Sequence, residues 1–275
     1  MVKTFLITGV SSGFGRALAQ AVLRDGHTVA GTVRKEGDRA DFEKLGPGAH
    51  AVILDVINTS QIAPAIAAIE QDIGAIDVLV NNAGYGHEGI LEESSIDDLR
   101  RQFEVNVFGA VAMIQAVLPA MRQRRAGHIL NITSMGGIIT LPGLSFYHGS
   151  KFALEGISEA LGKEVKDFGI HVTAIEPGGF RTDWAGRSMV RAARSIADYD
   201  ALVEPIRKRR AELSGWQVGD PAKAAQAMLK VALSDNPPAH LLLGSDAVRL
   251  VEQKMKSLQA DFDAWKSVSL STDVT

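Results

Sequence analysis

The sequence predicts an α/β fold: a doubly wound parallel sheet in a single domain. Three observations carry this. Short runs rich in Val, Ile and Leu recur along the chain, helix-period segments separate them, and no internal repeat or low-complexity linker divides the 275 residues. The expected strands are residues 4–8, 28–33, 51–54, 78–80, 128–132, 171–175 and 240–243. Most are continuous apolar runs, as strands buried on both faces of a parallel sheet require. The expected helices are residues 16–24, 60–72, 97–121, 152–166 and 222–233, where apolar positions recur at helical spacing. Repeated strand–helix–strand order implies right-handed crossovers with helices on both faces. Two stretches break the rhythm. Residues 182–218 are charged and helix-prone, and their place after a strand's carboxyl end suits a helical lid. Residues 244–275 read as a helix to about Leu258 and then a tail carrying Trp265, which is expected to pack on the body or on a partner.

Composition narrows the function. The chain is 46% hydrophobic and 22% charged, the balance of an ordinary globular protein. It has no cysteine, which excludes disulfides, thiolate metal sites and cysteine nucleophiles and fits a reducing cytoplasm. A net charge of −3 argues against nucleic-acid binding. The basic cluster from Arg207 to Arg210 reads as a solvated helix face. No apolar run approaches the ~20 residues of a membrane span. The opening Met1 to Ile7 runs into a glycine loop, as a first strand does, with no small-residue cleavage site after it.

That loop, Thr8-Gly9-Val10-Ser11-Ser12-Gly13-Phe14-Gly15, joins the first strand to the first helix. Gly9 permits a tight turn, Gly13 lets backbone approach a pyrophosphate, and Gly15 allows close helix–strand packing. The helix amino end then offers free N–H groups to phosphate. A dinucleotide is therefore the expected ligand. The second strand ends in Arg34, where NAD-selective sites place an acid for the ribose hydroxyl; a basic residue suits a 2′-phosphate. NADP(H) is thus favoured, with NAD(H) possible, and Ser12 adds a hydroxyl donor. The plain alternative is that Arg34 only solvates the strand end.

Tyr147 and Lys151 stand at i, i+4 in Tyr-His-Gly-Ser-Lys, on one face of a helix. A phenol is a poor base at neutral pH, and a neighbouring ammonium is expected to lower its pKa. The pair makes an acid/base unit. Ser134, at a strand end, can hydrogen-bond a carbonyl oxygen where negative charge develops. His148 reads as a helix-surface residue and His87 as part of a loop.

Taken in order, Thr8-Gly9-x-x-x-Gly13-x-Gly15, Asn81-Asn82-Ala83-Gly84, Asn106, Ser134, Tyr147-x-x-x-Lys151 and Pro177-Gly178 resemble the short-chain dehydrogenase/reductase family, in the style of its hydroxysteroid dehydrogenase-like branch. The resemblance covers nearly the whole chain. It implies a Rossmann-type, seven-stranded parallel sheet and a catalytic tetrad of Asn106, Ser134, Tyr147 and Lys151. It implies that Lys151 also binds the nicotinamide ribose and that Asn106 holds a water in a proton relay. Asp55 would meet the adenine, with Val56 beside it. Asn82, Ala83 and Gly84 would line the cofactor cleft, and Pro177, Gly178, Gly179 and Thr182 would meet the nicotinamide end. Each has a structural alternative: Asp55 as a helix cap, Asn81 and Asn82 as turn stabilisers, Asn106 as a buried amide. Phe14 stands where Ile or Leu is frequent, and His148-Gly149 where small residues are usual; neither removes a chemical group.

The expected activity is hydride exchange between NADP(H) and a lipophilic ketone or secondary alcohol, with Ile138, Ile139, Leu141, Leu144, Phe146, Phe180 and Trp184 around the carbonyl. A homodimer or homotetramer is expected through the helices of residues 97–121 and 152–166. The competing readings are a nucleotide-sugar epimerase, whose different glycine spacing and larger substrate domain are absent here, and a non-catalytic NADP-binding sensor or scaffold.

Overall fold

A computed structural model describes residues 1–186, 188–213 and 215–274. In chain order the elements begin β1 (Thr4–Ile7), α1 (Gly13–Arg24), β2 (Thr28–Val33), α2 (Glu36–Glu43), β3 (Ala49–Ile53), α3 (Thr59–Asp72), β4 (Val78–Asn81) and β5 (Gly86–Glu88). There follow α4 (Ile96–Phe103), α5 (Ala110–Arg124), β6 (Gly127–Ile132), α6 (Ser145–Val165), β7 (Ile170–Pro177), β8 (Met189–Arg191), α7 (Asp200–Leu213), α8 (Pro221–Ala232), β9 (His240–Leu243) and α9 (Ser245–Leu270).

The main sheet has seven parallel strands in the order β3-β2-β1-β4-β6-β7-β9. All seven strands expected from the sequence are in it. Alternate residues of one strand serve opposite layers. Phe5 and Ile7 of β1, Val78 and Val80 of β4 and Leu130 of β6 pack with Leu18, Val22, Phe42 and Met228. Leu6, Leu79 and Ile129 point the other way, against Ile62, Ile66, Met113, Val117 and Leu161. Both faces are covered, which is why the strands read as continuous apolar runs. Strand order reverses between β1 and β4, and ligands of open α/β sheets bind at the carboxyl ends of such strands.

The differences from expectation have physical causes. Helix α2 buries only Phe42, so it carried no apolar stripe to read. The single helix expected over 97–121 is instead α4, a π-helical stretch from Glu104 to Gly109, and α5. Within that stretch Gly109 lies so close to β3's following loop that an added Cβ would sit 2.7 Å from Val56 Cγ2. The continuous helix Ile96–Arg124 is long and apolar enough to cross a membrane. Its Val107, Met113, Ile114, Val117 and Met121 are buried in the core, however. Helix α6 begins seven residues earlier than expected, at Ser145, so Tyr147 and Lys151 both lie on it.

Residues 182–218, of which Arg187 and Ser214 lie outside the described residues, are not purely helical. They hold β8 as well as α7, and β8 pairs in parallel with β5. Arg207 and Arg210 are not a solvated face: each bonds the buried Glu88 carboxylate at 3.0 Å. Arg194 pairs with Glu93 and Asp200, and Glu93 also accepts the N–H groups of Ser195 and Ile196 at 2.7 and 2.8 Å. Ion pairs that fasten a surface segment to a buried carboxylate look, in sequence, the same as a charged face. The carboxyl-terminal tail is also helical: α9 runs to Leu270, and Trp265 on it is 66% exposed and does not pack on the body.

Beneath the switch point, Asn81 Nδ2 donates to Asn131 Oδ1 at 2.9 Å, and Asn131 Nδ2 donates to Ser158 Oγ at 2.8 Å. This buried ladder ties β4 to β6 and β6 to α6. Replacing Asn131 with Ala strands the Asn81 amide in the core. We expect a loss of about 1–3 kcal/mol in urea unfolding, the cost of an unsatisfied buried polar group.

Candidate active site

The glycine loop is held from below. Asn82 Nδ2 donates to both Thr8 O and Gly9 O, at 2.9 and 3.0 Å, while Thr8 Oγ1 accepts from the N–H groups of Asn82 and Ala83. Asn82 therefore spends its amide on the loop rather than on the cleft. Gly9 and Gly13 take φ values of +74° and +57°, where a side chain would be strained. A Cβ on Gly15 would lie 2.3 Å from Gly9 O. The loop leads into α1 with Ser12 as its N-cap, yet the Ser12 side chain makes no capping bond. Ser11 is exposed and Ser12 half-buried. Uncapped helix N–H groups behind a glycine turn fit a pyrophosphate. The residues present therefore fit a dinucleotide.

The neighbouring cleft residues are placed as follows. Arg34 is exposed at the carboxyl end of β2, followed by the exposed Lys35. Asp55 accepts the Ile57 N–H at 3.3 Å; the N-cap of α3 is Asn58, so Asp55 is not a helix cap. Val56 is buried. Phe14 meets Phe180 edge-on, 5.1 Å between ring centroids, and both pack with the core. Thr182 comes within 4.0 Å of a Cβ placed on Gly13. The Pro177-Gly178-Gly179 turn is braced by Asp246 of α9, whose Oδ2 accepts the Gly179 N–H at 2.7 Å and whose Oδ1 would lie 2.4 Å from a Cβ on Gly178. Asp246 escaped the sequence reading because its partner lies 67 residues away.

The four tetrad positions converge at the carboxyl end of the sheet. Asn106 sits in the π-helical stretch, a distortion frequent at functional sites. Its Oδ1 accepts the Tyr85 N–H at 3.1 Å, and its Nδ2 donates to Tyr85 O and to Ser150 Oγ, both at 3.1 Å. The side chain is thus a buried clamp between α5, α6 and the start of β5. Ser150, unremarked in the sequence, completes it by donating to Tyr147 O at 2.7 Å. Lys151 Nζ donates to Ile132 O at 2.8 Å and lies 5.8 Å from the Tyr147 ring centroid. A Cβ on Gly84 would stand 3.1 Å from Asn106 Oδ1 and 3.8 Å from Lys151 Nζ. Ser134 Oγ accepts the Gly136 N–H at 2.9 Å and reaches the phenol. Tyr147 is roofed by Trp184, 5.1 Å between ring centroids, with Leu144 and Met189 in the same apolar cluster. Ile139, Leu144 and Phe146 are buried, Ile138 is half-buried and Leu141 is exposed.

The expected depression of the phenol pKa is not found. Burial pushes Tyr147 up to about 12, only partly offset by the Ser134 hydroxyl. Burial also pulls Lys151 down to about 8, and its ammonium faces a carbonyl rather than the phenol. An i, i+4 spacing shares a face but does not aim the charge. His148 is another correction: it is buried, not on the surface, with Nδ1 bonded to Gly136 O at 2.7 Å and Nε2 accepting the Leu141 N–H at 2.8 Å. It holds the loop between Ser134 and Tyr147. His87 lies buried in β5, 5.1 Å from the Phe146 ring.

A second polar layer lies under Lys151. Glu155 and Glu176 are buried, and His240 Nδ1 lies 2.7 Å from Glu176 and 3.6 Å from Glu155. Burial, then the adjacent Glu176 charge, raises the Glu155 carboxyl to about 7.

The model of the short chain dehydrogenase family matches residues 3–192. The chain belongs to the short-chain dehydrogenases. Oxidoreductase BOA17 of Botryotinia fuckeliana is 40% identical over 99% of this chain and all of its own. The 3-ketodihydrosphingosine reductase of Bacteroides thetaiotaomicron is 38% identical over 94% of each chain. Among solved structures, a short-chain dehydrogenase from Streptomyces avermitilis superposes with a TM-score of 0.92, at 39% identity over the whole of both chains. The closed form of a serine dehydrogenase complexed with NADP+ gives a TM-score of 0.75 at 25% identity, over 87% of this chain and 94% of its own. This short-chain dehydrogenase is accordingly an NAD(P)-dependent oxidoreductase acting on a small molecule.

The raised Glu155 carboxyl has a stability consequence. Its folded pKa lies above the unfolded value, so its contribution is fully present below about pH 4.5 and is lost as pH rises through about 7. Glu155→Gln removes that loss. We expect the variant's urea stability to stay flatter than wild type between pH 4.5 and 7, and to exceed it at pH 8 by on the order of 1–3 kcal/mol.

Proposed function

We propose that this short-chain dehydrogenase interconverts a lipophilic ketone and its secondary alcohol with NADP(H), using Tyr147 as the proton-transfer group. The observation that carries this reading is the buried phenol within reach of Ser134, backed by Lys151 and covered by Trp184, Leu144 and Met189. The bound nicotinamide supplies or accepts the hydride. The glycine loop from Gly9 to Gly15, with Ser11, Ser12, Gly13 and Phe14, would hold the pyrophosphate. Arg34, Asp55 and Val56 would flank the adenosine end, and Ala83, Gly84, Lys151, Gly178, Gly179 and Thr182 the nicotinamide end.

The roles of the chain's own groups follow from chemistry. Ser134 Oγ donates to the substrate oxygen and stabilises its developing charge. A phenol kept neutral by burial is the proton donor that carbonyl reduction requires. Lys151, held by Ile132 O, places positive charge behind the phenol when a proton leaves it. The backbone opened by the π-helical turn at Asn106 suits a water in that proton's path. Apolar groups against Tyr147 favour a substrate with few polar anchors, in keeping with a relative named for a lipophilic ketone. The segment 182–218, latched through Glu88 and Glu93, would act as a lid that excludes water. Pairing of copies through α5 and α6 and a cytoplasmic location complete the reading; Phe108, just before α5, and Phe152 of α6 are exposed.

Two experiments test it. Tyr147→Phe should lower kcat for a bulky ring ketone by roughly 10²–10⁴-fold, the range for a general acid, with NADPH affinity by fluorescence unchanged. Near-normal turnover would defeat the assignment. Arg34→Ala should weaken NADPH roughly ten- to a hundredfold, as loss of a charge-assisted phosphate bond does, while leaving NADH nearly unaffected. Equal losses would show that Arg34 does not select the cofactor.

A further inference from the structure

Helix α9 starts docked and ends bare. Ala247 and Val251 are buried, yet every residue from Gln259 to Leu270 is exposed. Those twelve residues extend the helix by roughly 18 Å at the usual rise. A helix of this length is marginal in water without a packed face. Six of its large apolar residues fall on one stripe, while Leu250, Val268 and Leu270 lie off it. Val248, Val251, Met255, Leu258, Phe262 and Trp265 alternate spacings of three and four, a heptad seam along one side. Met255, Phe262 and Trp265 on it are 49%, 60% and 66% exposed.

We propose that this seam binds the same seam of a second copy, as a short antiparallel coiled coil centred on Ala260. In that register Met255 meets the second copy's Trp265, and Leu258 meets its Phe262, so that each layer matches a smaller side chain with a larger one. On one flank Glu252 falls opposite Lys266 of the other copy, twice over by symmetry, while on the other flank Asp261 meets its own copy once, at the axis. Glu252 and Lys266 are exposed, and neither has an ion-pair partner among the described residues. A parallel pair would set two folded bodies side by side at one end of helices only 8–10 Å apart, which their bulk forbids. Antiparallel arms place the bodies at opposite ends. The two-fold axis gives a closed, self-complementary contact. This surface is distinct from the faces of α5 and α6, and it does not depend on the enzymatic reading.

Sedimentation of the full-length protein at micromolar concentration tests the proposal, with Phe262→Asp, Glu252→Lys, Lys266→Glu and the double charge reversal. All four changes lie on exposed positions, so the circular dichroism of the fold and the ketone turnover should match wild type. Phe262→Asp should halve the mass of the assembly. Each single charge reversal should weaken association about fivefold, the scale of placing like charges at two symmetric pairs. The double reversal should restore the wild-type constant, because opposite charges would again face each other across the seam with their signs exchanged. A mass unchanged by Phe262→Asp would overturn the proposal. Single reversals without effect, or a double reversal that fails to rescue, would overturn the antiparallel register. Binding of the wild-type protein to anionic vesicles without self-association would assign the seam to a lipid surface instead.

Discussion

One side-chain amide fixes the geometry on which the rest of the site depends. Asn82, just after β4, donates to the carbonyls of Thr8 and Gly9, the first residues of the glycine loop. That bond pair locks the turn to the neighbouring strand at the point where strand order reverses. The close approach it enforces is what excludes a side chain at Gly15, where a Cβ would meet both Gly9 O and Asn82 Nδ2. Helix α1 is thereby drawn against the sheet with its uncapped amino end facing the cleft. The nearby ladder from Asn81 through Asn131 to Ser158 carries the same fixation across to α6, the helix of Tyr147 and Lys151. The central strands β1, β4 and β6, tied together by these amides, set the separation between the phosphate cradle and the phenol.

Electrostatically the site is dry and poorly compensated. Tyr147 and Lys151 are driven towards their neutral forms, each chiefly by burial. Glu155, one helical turn beyond Lys151, is driven the same way. Three ionisable groups along one side of α6 thus resist charge, and Lys151 and Glu155 each favour the other's ionisation. Such a column is sensitive to any fixed charge placed in the cleft above it.

The sheet and the placement of the four tetrad residues were legible in the sequence, because apolar runs and short motifs are local signals. What escaped was of three kinds. Helix α2 lacked an apolar stripe. Asp246, Ser150 and the Glu88 latch depend on partners distant in sequence. His148 looked like a surface residue only because its two hydrogen-bond partners lie in a loop whose path the sequence does not encode. Tyr147 and Lys151 share a face of α6 as their spacing implies, but burial raises the phenol where a neighbouring ammonium was expected to lower it, since spacing does not report how buried that face is.

The two-stranded pairing of β5 with β8 joins parts that a diagram of the fold would separate. Tyr85, whose backbone clamps Asn106 through both its N–H and its C=O, is followed directly by Gly86, whose N–H donates to Ser188 O in the segment covering Tyr147. The peptide that clamps Asn106 and the peptide bonded to the covering segment are neighbours in the chain. On the proposed reading, an excursion of the covering segment would pull on the turn that positions Asn106, so that admission of a ligand and alignment of the proton path would be mechanically one event rather than two.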